Sequence, residues 1–181
     1  GLQPNRQYNF TIEDAEALRQ NLSELKIVAP MNQLGGYNSN NNAVRGLKTA
    51  SFSIYGVHPE VTQIQQFDMT QGRFINAPDI RDRRKVAIVG ETVLEKLFTP
   101  DENPIGQYIK INGVNFMVAG TLRGSGNGNQ AREQAASIYL PFTAFSQAFN
   151  MGNRVGWFSV RSADEVPAVI AEQKAMALLK E

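Results

Sequence analysis

The sequence predicts a mixed α/β fold, in which helix-bearing ends flank a strand-rich middle. Three observations support this prediction. Apolar residues recur at helical spacing near both ends, short apolar runs punctuated by glycine and proline fill the middle, and an Asn-Gly pair joins two of these runs. With 181 residues, of which 42% are hydrophobic, the chain is long enough for one compact unit with a subdomain.

The first element is predicted to be a helix that begins near Thr11. The sequence Thr11–Asp14 has the pattern of a capping box, in which a hydroxyl and a carboxylate accept hydrogen bonds from free backbone N–H groups. Apolar residues follow at spacings of three or four, at Ala15, Leu18, Leu22 and Leu25. The run Lys26–Pro30 is predicted to be a short strand that its proline ends. Residues 35–43, which are rich in asparagine, are predicted to form a flexible loop.

The middle of the chain, residues 44–122, is predicted to alternate strands with short helices. Residues 44–57 include a stretch in which apolar and polar side chains alternate, as in a strand with one buried face. Pro59 suits the first turn of a short helix that extends to about Gln65, because the N–H that proline lacks would be unpaired there.

A strand-to-helix unit is predicted between Lys85 and Phe98. Lys85–Val89 has the apolar run of a buried strand, and Gly90 leads into a helix. One side of that helix is apolar, at Val93, Leu94, Leu97 and Phe98. The basic run Arg81–Lys85 before the unit is predicted to be a solvated turn, and attraction of anionic headgroups or an acidic partner is the alternative.

A hairpin is the clearest local prediction. Asn112–Gly113 supplies the two left-handed residues of a type I′ turn. The turn places Ile111 opposite Val114 and Ile109 opposite Phe116, on the same side of the sheet.

The last part of the chain is predicted to begin with a flexible loop, residues 123–135. Strand Ala136–Leu140 follows, and Pro141 opens a helix. That helix carries Phe142, Phe145 and Phe149 at helical spacing. Val155–Val160 is predicted to be a strand, and Ser162–Glu165 is a second capping box before a final helix. Because strand and helix occur together at both ends, we expect the ends to pack together around an inserted middle.

Composition excludes several classes of function. Cysteine is absent, which excludes disulfides, thiolate zinc sites and cysteine nucleophiles. The 18 Lys and Arg residues against 17 Asp and Glu give a net charge of +1, and the basic residues are mostly scattered. Nucleic acid is therefore not expected as a partner. No apolar run approaches the roughly 18 residues needed to cross a bilayer.

No reactive constellation stands out, so no catalytic, metal or cofactor site is predicted. His58 is the only histidine, no Gly-x-Ser-x-Gly elbow is present, and His58 is predicted to lie at a helix entrance beside Pro59. The run Gly124–Gly128 lacks the Lys-Ser/Thr pair of a phosphate-binding loop and is predicted to be a connector. Core packing, rather than stacking of bases or sugars, is predicted for Phe142, Phe145, Phe149 and Trp157.

Arg73 is predicted to have a structural role. It lies between Gly72 and Phe74, after an apolar segment, in what is expected to be a turn. Its guanidinium group is expected to be held by local carbonyl groups or by a carboxylate.

Taken in order, these blocks resemble the extracytoplasmic core domain of the macrolide exporter MacB and related ABC-transporter permeases. The family includes lipoprotein-releasing permeases and cell-division relatives. The resemblance covers most of the chain, and the common order of the blocks makes it specific. The blocks are Thr11–Leu22, Val28–Pro30, Tyr55–Val57, Gly72–Phe74, Val86–Val93 with Leu97 and Phe98, Pro104–Gly106, Asn112–Gly113, Ile138–Pro141 and Phe158–Arg161.

The resemblance implies a porter-like βαβ subdomain, made from residues 1–34 and 136–181, and an inserted, strand-rich α/β subdomain, residues 44–122. The family pattern has a strand before the first helix and another after the last helix, so the porter-like part is expected to be incomplete at both ends. Family-motif residues are expected to shape turns and packing, with no ligand site among them and no partner contacts assigned. They are Gly56, Gly72, Arg73, Phe74, Gly90, Pro104, Gly106, Asn112, Gly113, Gly120 and Pro141.

In function, the resemblance implies a non-enzymatic domain on the periplasmic face of a bacterial inner membrane. Such a domain transmits ATP-driven movement of transmembrane helices to substrate export or to partner proteins. ATP hydrolysis is expected on a cytoplasmic nucleotide-binding domain outside this chain, and no cofactor is expected within it. A hydrophobic span is expected before Leu2, and about three spans after Glu181.

The expected partners are the permease's own transmembrane helices and its ABC ATPase. A periplasmic adaptor, an outer-membrane channel and a second copy in a homodimer are also expected. Two other functions stay open. In the first, the domain senses a ligand or peptide in a groove between its subdomains. In the second, the chain is a free-standing hydrolase, which is the least favoured function because no reactive constellation is present.

Overall fold

The structure, a computed structural model, describes residues 10–21, 25–34 and 42–162. A mixed sheet of ten strands runs through these residues. The strands are β1 (Phe10–Thr11), β2 (Leu25–Leu34), β3 (Ala43–Arg45), β4 (Lys48–Ala50), β5 (Ser53–Val57), β6 (Asp68–Gly72), β7 (Val86–Gly90), β8 (Tyr108–Ile111), β9 (Val114–Arg123), β10 (Ser137–Pro141), β11 (Arg154–Val155) and β12 (Trp157–Ser162). The α-helices are α1 (Ile12–Asn21), α2 (Ala77–Arg81), α3 (Glu91–Leu97), α4 (Asn129–Ala135) and α5 (Phe142–Ala148), and Pro59–Gln63 is a 3-10 helix.

Hydrogen bonding orders the sheet as β12-β2-β5-β10-β7-β9-β8-β3-β4, and β6 also pairs with β9. β5 is parallel to β10 and β7 is parallel to β9, while the other ladders are antiparallel. Helix α3 lies on the crossover between the parallel strands β7 and β9, which cannot be joined by a tight turn. β1 and β11 form a separate two-stranded sheet.

The two faces of the large sheet carry two separate cores, because side chains alternate in direction along each strand. On β10, Ile138 and Leu140 enter the first core and Tyr139 enters the second. On β7, Val89 enters the first core and Ile88 the second. Helices α3 and α5 cover the first core through Val93, Leu97, Ala144 and Phe145. Every residue of β7 and β10 is therefore buried.

The structure confirms the predicted Asn-Gly hairpin between β8 and β9. Asn112 and Gly113 have φ values of +45° and +84°, the positive values that a type I′ turn requires. The register pairs Ile111 with Val114 and Ile109 with Phe116. The apolar face of the hairpin is thereby directed into the first core.

The predicted start of the first helix is also confirmed. The backbone N–H of Thr11 donates to Asp14 Oδ2 at 2.9 Å, and the N–H of Asp14 donates to Thr11 Oγ1 at 3.4 Å. Helix α1 buries Ala15 and Leu18. Leu22, also predicted for this helix, lies outside the described residues. The prediction that Leu25 belongs to the helix is wrong, because Leu25 begins β2.

The prediction that Pro30 ends a short strand is wrong, since β2 continues to Leu34. β2 pairs with β12 up to Met31 and with β5 only from Asn32 onward. At Pro30 the strand is therefore paired on one side only. A proline is tolerated in a strand where one edge needs no N–H donor.

The alternating stretch within residues 44–57 forms β5, as predicted. The same range also holds a hairpin that was not predicted, because Gly46, with a φ of +61°, turns the chain back between β3 and β4. One further boundary differs from the predictions. Residues 123–135 are not wholly a loop, because α4 occupies the last seven of them. Gly124 permits this helix to lie close, since a Cβ at that position would be 2.0 Å from the Ala131 carbonyl oxygen.

Other predictions fall partly or wholly outside the described residues. They concern most of the asparagine-rich segment 35–43, of which Ala43 lies in β3, and the helix expected after Ser162. The division into a porter-like and an inserted subdomain stays a prediction. β2 and β12 bring the two end segments together, whereas β10, predicted with the ends, lies between β5 and β7 of the middle segment.

Replacing Gly113 tests the hairpin. We expect Gly113→Val to lower the stability by about 1–2 kcal/mol, because a β-branched residue resists the positive φ of this turn. Thermal denaturation measures the effect. Asn115→Val is the matched control, since it places the same side chain on an exposed position of β9 two residues away. Equal melting temperatures for Gly113→Val and the wild type would contradict this account.

Candidate functional site

Arg73 forms a two-point ion pair with an aspartate that has no solvent exposure. Its Nη1 donates to Asp79 Oδ2 at 2.6 Å, and its Nη2 donates to Asp79 Oδ1 at 3.1 Å. Nη1 also donates to the Phe74 carbonyl oxygen at 3.1 Å. Both kinds of partner expected for this arginine, a local carbonyl and a carboxylate, are therefore present. A planar guanidinium is suited to hold a carboxylate in this way.

Asp79 also helps to cap the N-terminus of α2. Its Oδ2 accepts from the backbone N–H of Asn76 at 3.0 Å, and its own N–H donates to Asn76 Oδ1 at 3.1 Å, which completes a capping box. Arg84 Nη1 lies 3.8 Å from Asp79 Oδ1 and adds a second, weaker cation. In the same basic run, Arg81 pairs instead with exposed Asp82. The buried carboxylate is thus neutralised and hydrogen-bonded, which its burial requires.

Gly72 of β6 and Gly120 of β9 lie where the two backbones come so close that neither position has room for a Cβ atom. A Cβ on Gly72 would lie 2.1 Å from the Ala119 carbonyl oxygen, and a Cβ on Gly120 would lie 2.1 Å from the Arg73 carbonyl oxygen. Gly72 also has a φ of +67°. The N–H of Arg73 donates to the Ala119 carbonyl oxygen at 3.1 Å. The close approach of the two strands holds the backbone of Arg73 in place, next to its partner Asp79.

The remaining motif residues lie at separate places in the fold. Gly56 faces the Phe145 side chain, Gly90 lies against the Ala135 carbonyl oxygen, and Pro141 is the N-cap of α5. Pro104 is buried, and Gly106 has a φ of +87°. The structure therefore brings together Gly72, Arg73, Phe74 and Gly120, and it leaves the other motif residues at individual turns and contacts.

The second face of the sheet carries a cavity with aromatic walls, which the sequence did not reveal. The rings of Tyr55 and Tyr139 are stacked, with centroids 5.5 Å apart. Trp157 stands perpendicular to Tyr55, with centroids 6.1 Å apart and an interplanar angle of 86°. We call this cavity of about 190 Å³ the aromatic cleft; it is lined by Met31, Tyr55, Gln65, Gln130, Glu133, Gln134, Tyr139, Trp157 and Ser159.

A hydrogen bond ties the aromatic cleft to α4. The Tyr55 hydroxyl donates to Glu133 Oε1 at 2.6 Å. Burial, and then the neighbouring Glu133 carboxylate, raise the pKa of Tyr55 far above its ordinary value, so the phenol stays protonated and remains a donor. Trp157, predicted to be a core residue, is only partly buried and forms one wall of the cleft.

His58 lies at the entrance of the 3-10 helix, as predicted, and serves as its N-cap residue. Its ring centroid is 5.0 Å from that of Phe142. Burial is the main cause that lowers the pKa of His58. The charge of Glu60 acts in the opposite direction, and that of Arg19 adds to the lowering.

Across the described ranges, no group of three or more His, Cys, Asp or Glu side chains is arranged to hold a metal ion. No helix in the same ranges combines the length and apolarity needed to span a membrane. The charged contacts reported above instead tie neighbouring segments to one another.

Comparison with known proteins identifies similar sequences. A family model described as a MacB-like periplasmic core domain matches residues 2–176. The macrolide export ATP-binding/permease protein MacB of Rhodospirillum rubrum is 27% identical over 165 residues, which are 91% of this chain and 25% of that protein. The pyoverdine export ATP-binding/permease protein PvdT of Pseudomonas putida is 31% identical over 136 residues, which are 75% of this chain and 20% of that protein.

The fold also matches a solved structure. The crystal structure of the periplasmic region of MacB from Actinobacillus actinomycetemcomitans superposes with a TM-score of 0.79 at 23% identity, covering 98% of this chain and 76% of that one. At this identity the likeness shows a shared fold. The chain spans a quarter or less of the length of the two curated relatives described above.

Removal of the Arg73 side chain tests the role of its ion pair. We expect Arg73→Ala to destabilise the protein by about 2 kcal/mol, because the buried Asp79 carboxylate would lose its two-point partner. Arg81→Ala is the control, since it removes an arginine from an exposed pair, and no measurable change is expected. Chemical denaturation of both variants measures the difference. Equal stabilities would show that Arg73 contributes nothing to the fold.

The single histidine predicts a pH dependence with a defined sign. Because the pKa of His58 is lowered in the folded state, the unfolded chain binds a proton first as the pH falls. Stability should therefore decrease from about pH 7.5 to about pH 5.5, a range in which no other side chain of ordinary pKa titrates. Melting temperatures across this range measure the effect. His58→Gln should flatten the profile, and an unchanged slope in that variant would contradict the assignment.

Proposed function

This chain belongs to the MacB-like periplasmic core domain family, and we propose that it transmits ATP-driven movement of transmembrane helices to substrate export. The family is one of permease domains, located outside the cytoplasm, rather than one of enzymes. In the proposed arrangement, a nucleotide-binding domain outside this chain hydrolyses ATP. The relatives are named as export ATP-binding/permease proteins, which supports this division of labour.

The observation that carries the proposal is the continuity of the sheet. β2 pairs with β12 through Leu25–Met31 and with β5 through Asn32–Leu34, so one strand joins the two end segments to the centre. From β5 the ladder continues through β10, β7 and β9. A displacement applied at β2 or β12 is therefore passed along by backbone hydrogen bonds and by cores on both faces, and the domain moves as a lever.

The far end of this lever is the β3–β4 hairpin. The side chain of Leu47, at its tip, is fully exposed. Arg45, which pairs with Lys48 beside this turn, anchors the tip of the hairpin, because it forms a two-point ion pair with Glu102, with both N···O distances 3.0 Å, and lies over the Phe98 ring. We propose that a periplasmic adaptor and an outer-membrane channel receive the movement, and that two copies of the permease act as a homodimer.

Ligand sensing is the second candidate function, and the aromatic cleft is the observation that favours it. The cleft combines aromatic walls with amide and carboxylate groups, which is a common composition for small-molecule sites. In such a domain, the ligand would bias the position of the lever.

Distance measurements in the full-length transporter test the lever. Spin labels on cysteines introduced at Leu47 would report the distance between the two copies, and a double label at Leu47 and Gln147 would report the distance within one copy. Both positions are exposed, and this chain contributes no other cysteine. We expect the distance between copies to change when ATP is trapped, and the distance within a copy to stay constant. A distance between copies that is independent of nucleotide would contradict the proposal.

A further inference from the structure

We propose that the aromatic cleft binds a small alkylammonium cation, meaning a tertiary or quaternary amine of low molecular mass. The inference names the ligand class for the second candidate function, ligand sensing, and it does not depend on the proposed transmission of movement. It rests on the geometry of the rings, the charge of the lining and the rigidity of the walls.

The ring geometry suits a cation. Tyr55 and Trp157 stand at 86° to each other and so form two walls of a corner, and Tyr139 backs Tyr55 at 5.5 Å. Tyr55 and Trp157 are only partly buried, and both line the cleft. The electron-rich faces of indole and phenol rings attract weakly hydrated cations within about 6 Å, and tryptophan does so most strongly.

The charge of the lining favours a positive ligand. Glu133 is the one carboxylate of the lining, which contains no Lys, Arg or His, since the other polar members are amides, a hydroxyl and protonated phenols. Its Oε1 accepts from Tyr55, while no hydrogen bond joins Oε2 to another described residue. Lys96 and Arg132 are absent from this lining and line a separate cavity of about 620 Å³ that also includes Glu133.

The walls of the cleft are held in place without a ligand. Gln134 is buried, donates from Nε2 to the Gln66 carbonyl oxygen at 2.9 Å, and accepts the Ser125 N–H at 2.8 Å. Tyr139 is buried and meets the Phe67 ring edge-on at 5.1 Å. Ligands lose less entropy on binding to such preformed walls.

The cleft has room for a small ligand. Its volume of about 190 Å³ is below the roughly 300–1,000 Å³ of sites for drug-sized molecules. A trimethylammonium group with a short chain fits this volume.

Titration with choline tests the inference. Trp157 is the only tryptophan of the 181-residue chain, so its fluorescence reports on the cleft directly. Choline chloride should give a saturable change, tetramethylammonium chloride a similar one, and 3,3-dimethylbutan-1-ol, the uncharged analogue of choline, a much weaker one. Sodium chloride at the same ionic strength corrects for screening. Equal responses to choline and to its uncharged analogue, or no saturable response to choline, would overturn the proposal.

A pair of charge variants locates the site. Glu133→Gln keeps an oxygen that accepts from the Tyr55 hydroxyl and removes the charge, so we expect choline affinity to fall about tenfold. Glu95→Gln removes one negative charge from α3, outside the cleft lining, and should leave choline binding unchanged. Thermal denaturation checks that both variants fold. Equal losses in the two variants would show that choline responds to net charge rather than to the cleft, and would overturn the assignment.

Discussion

The burial of β7 and β10 on both faces is the constraint on which the rest of this fold depends. A strand with no exposed face needs a covering layer on each side. The buried backbone N–H and C=O groups at its ends also need hydrogen-bond partners nearby. The covering elements must therefore approach closely, and glycine makes this possible. The Phe145 side chain of α5 packs against Gly56, and the Ala135 carbonyl oxygen of α4 packs against Gly90. These contacts fix where α4 and α5 lie relative to the sheet.

Two polar arrangements follow from this packing and have different characters. Asp79 is fully buried, and Arg73, Asn76 and Arg84 surround it, so its charge is used to join β6, α2 and the segment before β7. Glu133 lies on the exposed side of α4, where it accepts a hydrogen bond from Tyr55. The first carboxylate is committed to structure, and the second retains an oxygen that can interact with a ligand.

The elements predicted well from the sequence are those whose signals are local. The capping box at Thr11, the turn at Asn112–Gly113 and the helix after Gly90 each depend on neighbouring residues. The family assignment is likewise confirmed, because it depends on the order of such blocks. The continuation of β2 through Pro30 could not be predicted locally. The strand tolerates this proline only because β5 begins to pair with β2 after it, at Asn32. The aromatic cleft was missed because Tyr55, Tyr139 and Trp157 meet only through long-range pairing.

The register of β2 against β12 has a mechanical consequence. Leu25, where β2 begins, is paired with Ser162, where β12 ends, so the chain enters and leaves this pair of strands at the same end. A force that draws Leu25 and Ser162 in one direction along the strands loads the ladder between β2 and β5 in shear, in which its hydrogen bonds share the load. A force that separates these two residues instead peels β12 from β2 one bond at a time. The β2–β12 pair therefore resists a joint pull on these two points better than a pull that draws them apart.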